Sequence, residues 1–257
     1  MTAERARVGL GASLGILLLL GLWTWLASGE PELIFPSPPE TWAALSSLAR
    51  SGKLVSASLI TLGRAAGAVL LALAVGLIWG TLNGLSKWAK AVSAPLLGAL
   101  MALPPIVLVI LGITWLGPSG QTAQLVVFWV AIPLIVVATA EAVSAVDRDL
   151  LEMAAAFKLG RVATLRHVII PAVASPLLAA VSVALGQSLR VAVMGELLSA
   201  TSGVGAEVAR ARANVATADV FAWALVLVAV VLTVELVLLR PLAGRVLGWR
   251  NRACERR

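Results

Sequence analysis

Charge is what this sequence has least of. Its 257 residues include only 20 Lys and Arg and 13 Asp and Glu, 13% charged against 60% hydrophobic, with a mean hydropathy of +0.98. Soluble domains carry about a quarter charged residues, and a chain this poor in them cannot cover itself in water. Its solvent is lipid. A net charge of +7 would suggest nucleic acid in a soluble protein. In a membrane protein it is read through its distribution among loops, and no nucleic-acid partner is expected. The single cysteine, Cys254, has no disulfide partner and forms no metal cage, and the single histidine, His167, removes most zinc chemistry.

Catalytic signatures are missing as well. No G-x-x-x-x-G-K-[ST] run is present, since Ser51, Gly52 and Lys53 lack the upstream glycine, and neither H-E-x-x-H nor C-x-x-C occurs. The chain is therefore not expected to be an enzyme, and no cofactor or metal is expected in it. If it moves anything uphill, the energy comes from an ion gradient or from a separate ATP-hydrolysing partner.

Apolar runs near the 20 residues that a bilayer requires, uncharged but for Glu235 in the last, point to six spans: Val8 to Ser28, Ala65 to Ser86, Ala91 to Leu116, Thr122 to Ala140, Val168 to Leu189 with an extension toward Ala200, and Val220 to Leu239. The first has the basic start and small-residue exit of a signal peptide. Its apolar run exceeds the roughly 7 to 15 residues of a signal core, so it reads as an uncleaved helix. Lys and Arg collect on the cytoplasmic side. The N-terminus, alternate connections and tail hold 14 of them, from Arg5 to Arg257, against four (Arg50, Lys53, Arg210, Arg212) in the opposite set. Both termini are thus expected in the cytoplasm. Trp25, Trp115 and Trp223 fall at the outer boundary and Trp88 and Trp249 at the inner one, where indoles are favoured.

Between spans, four prolines from Pro31 to Pro39 exclude a regular helix, and a short surface helix is expected over Glu40 to Arg50. The connection from Asp147 to His167 is long, amphipathic and cytoplasmic. Leu150, Ala154 and Phe157 share a face, ringed by Asp149, Glu152, Lys158 and Arg161, and Ala154 to Ala156 allow close approach. Such a helix either fits a groove on a soluble partner or lies on lipid headgroups.

The ionisable residues within spans are Arg64, Glu141, Arg190, Glu196 and Glu235. Glu141 and Glu235 lie close to the inner boundary, so neither suits a midplane coupling site. Arg190 and Glu196 are six positions apart, about 120° around a helix, so each needs a partner elsewhere. Arg64 lines a cavity or reaches water at the outer interface. Gly76, Gly80 and Gly84 form a row that admits a close neighbour. Pro104, Pro105, Pro133, Pro171 and Pro176 are expected to kink or break their helices, and such breaks often line a path.

The stretch Glu152 to Pro171, EMAAAFKLGRVATLRHVIIP, resembles the EAA loop of the membrane subunit of binding-protein-dependent ABC importers, in the nitrate, sulfonate, taurine and bicarbonate branch. Glu152, Ala154, Phe157, Arg166, Val168 and Pro171 fall on matching positions. Lys158 stands where that family has glycine, and Gly160 follows two positions later. Phe35 to Pro38 resemble its F-P-S-P, Thr61, Leu62 and Arg64 its T-L-x-R, and Leu103 to Pro105 its proline pair. Glu196 to Gly205 resemble its E-x-x-x-x-x-x-G-x-G stretch. The similarity runs from about residue 34 to about residue 250.

The resemblance implies an all-α membrane protein of the type I ABC importer permease fold, with an N-terminal spanning helix (1–30), an extracytoplasmic connection (31–54), a transmembrane domain (55–240) with a cytoplasmic coupling loop (147–167), and a basic tail (241–257). Glu152, Ala154, Ala155, Phe157, Lys158 and Gly160 would engage a cytoplasmic ATPase subunit, which itself binds ATP. Arg64, Pro104, Pro105, Arg190 and Glu196 are the candidate path residues. The implied partners are an extracytoplasmic solute-binding protein, a second permease copy in a homodimer, and the lipid of a bacterial inner membrane. The implied solute is a small anion or organosulfur compound, such as nitrate, a sulfonate, taurine or bicarbonate. A secondary carrier working alone and a membrane scaffold recruiting a soluble protein are the competing readings.

Overall fold

The computed structural model describes residues 2–146 and 148–239. The expected basic tail, with Cys254 and Trp249, lies outside them. The described chain is helical: α1 (Thr2–Ala27), α2 (Pro38–Arg50), α3 (Lys53–Leu85), α4 (Lys87–Ala102), α5 (Pro105–Leu116), α6 (Gly120–Ser144), α7 (Arg148–Ala156), α8 (Arg161–Thr164), α9 (Ile170–Ser199), α10 (Val204–Ala213) and α11 (Thr217–Thr233). π-helical segments at Leu165–Ile169 and Val234–Leu239 join or extend them.

Helix α6 is the axis of the bundle. It packs against α3 on one side and α9 on another, and Val126, Val127, Ile135 and Val136 on it have no exposure. The glycine row on α3 finds its neighbour here. A Cβ at Gly76 would meet Ile135, one at Gly80 would meet Thr139 and the Val136 carbonyl, and one at Gly84 would meet Val143. Positions 76, 80 and 84 step four residues at a time, as do 135, 139 and 143, so a ridge of α6 seats in a groove that only glycine leaves open. The outer surface of α1, α3 and α4 is apolar, with Leu18, Leu70, Ile78 and Trp88 exposed. That surface suits hydrocarbon rather than water.

The six expected spans are not all found as single helices. Among the described residues, four helices are long and apolar enough to cross a membrane: Lys53–Leu85, Gly120–Ser144, Pro176–Ser199 and Thr217–Val237. The expected third span is a pair, α4 and α5, bent by 97°, which makes a fifth if counted as one. Helix α1 runs Thr2–Ala27, and Ser13–Ala27 is its apolar part among the residues whose side chains are described. This helix contains the string Gly11-Ala12-Ser13-Leu14-Gly15, the letters of a nucleophile elbow, but without the strand-to-helix turn that the motif requires.

Of the prolines expected to break helices, the Pro104–Pro105 pair does so. Leu103 (φ −72°, ψ 123°) and Pro104 (φ −60°, ψ 135°) are both extended, because each precedes a proline that disfavours the helical region behind it. Pro133 and Pro176 lie inside continuous helices; a single missing donor is tolerated where neighbouring helices pack around it. Trp223, expected at the interface, is instead 1% exposed and anchors a second apolar cluster with Leu48, Ala57, Val193 and Val204. The proline-rich strap ties α1 and α2 to α11. The Trp23 indole donates to the Pro36 carbonyl (3.0 Å), Phe35 meets Phe221 edge-on (5.3 Å), and the Thr217 hydroxyl donates to the Leu33 carbonyl (2.6 Å). At the start of α2 the Ser37 backbone N–H donates to the Glu40 carboxylate (2.6 Å), and that bond holds Glu40 below its ordinary pKa.

Replacing Gly80 by Val should overpack the α3–α6 seam and cost about 1–3 kcal/mol. A fall in the thermal unfolding midpoint in detergent measures this; an unchanged midpoint would show that the seam has slack.

Candidate functional site

Two regions bring the chemistry-bearing residues together. The first joins the start of α3 to the end of α9 and the loop before α10. Thr61 and Arg64, three residues apart, project from the same face of α3. Glu196 on α9 has no solvent exposure, while the Arg64 side chain is 18% exposed. Arg64 Nη1 donates to Glu196 Oε1 (2.7 Å) and to the Ser202 carbonyl (2.6 Å), and Nη2 donates to Ser202 Oγ (2.8 Å). The other carboxylate oxygen, Oε2, accepts from the Thr61 hydroxyl (2.7 Å) and the Gly205 N–H (3.2 Å). Thr61 Oγ1 in turn accepts from the Val204 N–H (2.9 Å).

The geometry explains the glycine spacing that follows Glu196. Val204 and Gly205 are the first residues of α10, so their N–H groups have no partner within the helix. The positive end of that helix faces the carboxylate. Gly203 caps it at φ +103°, and a Cβ there would overlap the Glu196 carboxyl group; one at Gly205 would overlap the Val193 carbonyl. Gly120, the first residue of α6, leaves room for the Arg64 guanidinium. A buried charge is tolerated only when paired and hydrogen-bonded, and Glu196 accepts from three donors on two segments, Thr61 and Arg64 of α3 and Gly205 of α10.

The second region is the loop between α6 and α9. Helix α7 runs Arg148–Ala156 and closes with the Leu159 N–H bonded to the Ala154 carbonyl (2.9 Å), while Lys158 between them sits at φ +53°. This is the helix stop in which a left-handed residue at C′ lets the next amide reach back, and it is a position that glycine fills at least cost. The residue that replaces glycine thus keeps the turn. Gly160 does not take over the left-handed role; its carbonyl accepts the Thr164 N–H (3.0 Å) ahead of α8. At the far end of the molecule α10 ends on the same geometry, with Val215 at φ +56° and the Ala216 N–H on the Ala211 carbonyl (2.9 Å).

The shared face expected of this loop divides. Ala154 is buried at 1%, whereas Phe157 is 74% exposed, because Phe157 lies past the last helical residue and the turn swings it out. Met153 and Leu159 are exposed beside it, as is Glu152. The side chains of Leu150, Ala155 and Arg161 lie outside the described residues.

The remaining candidates separate. Arg64 and Glu196 share one ion pair. Arg190 is exposed on a face of α9 that also carries Ala179, Val183 and Gln187, and among the described residues it has no hydrogen bond or ion pair. Pro104 and Pro105 form the α4–α5 break. Sequence reasoning did not join Thr61 and Arg64 to the Glu196 stretch, nor did it find Ser202. The signal available was that two short polar motifs each place an unpartnered charge in an apolar setting. It also missed the junction of α3 and α4, where the Trp79 indole donates to Ser93 Oγ (2.8 Å) and Ser93 to Asn83 Oδ1 (3.0 Å).

A sequence-family model described as "Binding-protein-dependent transport system inner membrane component" matches residues 72–250. The chain is similar to the riboflavin transport system permease protein RibX of Chloroflexus aurantiacus, 32% identical over 79% of this chain and 76% of the relative. It is also similar to the taurine transport system permease protein TauC of Escherichia coli, 28% identical over 93% of this chain and 90% of the relative. Among solved structures, the inward-facing MetNI methionine ABC transporter contains a chain that superposes with a TM-score of 0.62 at 19% identity, covering 77% of this chain and 96% of that one.

Removing the Glu196 carboxylate as Glu196→Ala should strand Arg64 and cost about 3–5 kcal/mol, and Glu196→Gln should cost less because the amide still accepts from Thr61 and Gly205. Denaturation in detergent ranks the two. Lys158→Gly should relieve the left-handed strain and stabilise the loop by about 0.5–1 kcal/mol. Slower hydrogen exchange at the Leu159 amide reports it.

Proposed function

The chain belongs to the family of binding-protein-dependent transport system inner membrane components, a transport subunit rather than an enzyme, and from that premise we propose that it is the permease of an ABC importer. In this reading two copies form a homodimer in a bacterial inner membrane with both termini cytoplasmic. An extracytoplasmic protein delivers solute, and a cytoplasmic ATPase supplies the energy that this chain has no motif to extract. The transmembrane domain (55–240) carries the path.

The observation that carries the reading is the exposed apolar group Met153, Phe157 and Leu159 beside Glu152, at the end of α7 in the connection from α6 to α9. Exposed apolar side chains rimmed by charge mark a protein partner. Glu152, Lys158 and the Ala154 to Gly160 turn would seat in the ATPase, and α6 and α9, at either end of the loop, would receive its motion. Lipid headgroups are a poorer partner, since Phe157 leaves the helix at a turn rather than on a continuous apolar face.

The path is proposed along the exposed face of α9. Arg190 lies nine residues before Ser199, about 13 Å along the helix, and an unpaired guanidinium at such depth is too costly in hydrocarbon. A water-filled path shared by two subunits accommodates it, and its charge favours an anionic or sulfonate-bearing solute. Arg64 and Glu196 would hold the outer end of that path in shape without touching solute, and the Pro104–Pro105 break would give α4 and α5 room to move.

Phe157→Asp should reduce co-purification with the ATPase by about tenfold or more, as loss of a buried aromatic contact does, while the permease still folds. Undiminished co-purification would count against the docking role. Arg190→Gln should raise the half-saturating solute concentration about tenfold, the size of one charge-assisted contact, in proteoliposomes holding ATPase and binding protein. In liposomes without the ATPase the permease should give no concentrative uptake.

A further inference from the structure

Helices α2, α3 and α11 enclose a cavity of about 840 Å³ that no step of the transport reading uses. Helix α2 forms one wall, with Trp42, Leu45 and Arg50. Leu54 and Leu62 of α3 stand opposite Ala229, Val230 and Thr233 of α11. Helices α3 and α11 touch each other only briefly, so the space between them opens as a groove capped by α2.

Its polar groups sort into two kinds. The Ser46 and Thr233 hydroxyls are satisfied within their own helices, on the Ala43 carbonyl (2.9 Å) and the Ala229 carbonyl (2.7 Å). They add no demand for water. The Trp42 indole N–H and the Arg50 guanidinium have no hydrogen bond or ion pair among the described residues, and Trp42 is 69% exposed. Lys53, three residues past Arg50 across the turn at Ser51 and Gly52, is exposed as well. The groove therefore has apolar walls, with the Arg50 guanidinium and, eight residues away on α2, the Trp42 indole as its unpartnered polar groups; Lys53 is exposed beyond the lining.

A groove with apolar walls that opens on a lipid-solvated surface fills with hydrocarbon chain. Helix α2 is amphipathic, with Leu48 buried and Trp42 and Arg50 exposed, which places it flat in the headgroup layer. Tryptophan favours that level, and basic side chains there attract anionic headgroups. Apolar walls alone would accept any chain; Arg50 in the lining, with Lys53 three residues beyond it, selects the headgroup.

We propose that this groove is a binding site for an anionic glycerophospholipid, with an acyl chain between α3 and α11 along Ala229 and Val230 and the headgroup phosphate held by Arg50 and Lys53. The site is separate from the coupling loop and from Arg190, and it stands whatever the solute.

Native mass spectrometry of the full chain, purified in mild detergent and supplied with phosphatidylglycerol or phosphatidylethanolamine, tests it. The wild-type chain should retain about one phosphatidylglycerol per subunit and prefer it about tenfold over phosphatidylethanolamine, the effect of one to two basic contacts at a membrane surface. Arg50→Gln with Lys53→Gln should abolish the preference while leaving the unfolding midpoint unchanged, since both side chains are exposed. Ala229→Trp should fill the groove and expel either lipid. Equal retention of the two lipids by the wild type, or a preference that survives the double substitution, would overturn the proposal. So would cysteine cross-links at the groove that join it to a second copy of the chain.

Discussion

A carboxylate with no access to solvent dictates how the upper part of this bundle is built. Glu196 survives burial only because Arg64, Thr61 and Gly205 reach it together, and those groups come from two stretches of chain more than a hundred residues apart in sequence. Helix α3 must therefore lie against α9, and α10 must begin where its free amides point at the carboxylate. The two glycines of that loop follow from the same constraint, because a side chain at either would occupy the space of the ion pair or of the α9 backbone. Truncating either charge leaves the other buried and unpaired, which costs far more than the pair contributes when intact.

The clasp divides labour between the arginines of the spans. Each N–H group of Arg64 that bonds is directed inward, to Glu196 or Ser202. Its charge is neutralised on the spot, so it offers a passing solute little. Arg190 is the converse: exposed on the open face of α9, it has no counter-charge among the described residues. Both are cations in apolar helices, but they differ in what their surroundings leave unsatisfied.

The two ends of the bundle are built on different principles. At the clasp end, polar groups are consumed internally and α10 is fixed at its N-terminus by charge. At the other, α7 buries one small side chain, Ala154, and swings its large one, Phe157, outward. Both short helices end with a non-glycine residue in the left-handed region, Lys158 and Val215. Such strain persists where surrounding contacts over-determine it. Between the ends, the α3–α6 glycine seam is closely packed and the α4–α5 pair is broken, so stiffness and freedom lie side by side within one subunit.

Much of this was legible one residue at a time. Low charge specified lipid as the solvent, uncharged runs located the long helices, the spacing of Gly76, Gly80 and Gly84 announced a close neighbour, and the EAA-like loop pointed to the family. These are local signals, set by composition or by helical period. What the sequence left open were relations between distant residues. Nothing in the run around Arg64 names Glu196, and nothing around Trp223 says that it will be buried under Leu48 rather than stationed at an interface. A tandem proline reads as a kink, but its 97° bend was decided by what the helices on either side pack against. Pairing and burial depend on which surfaces meet in three dimensions, and only the tertiary structure decides that.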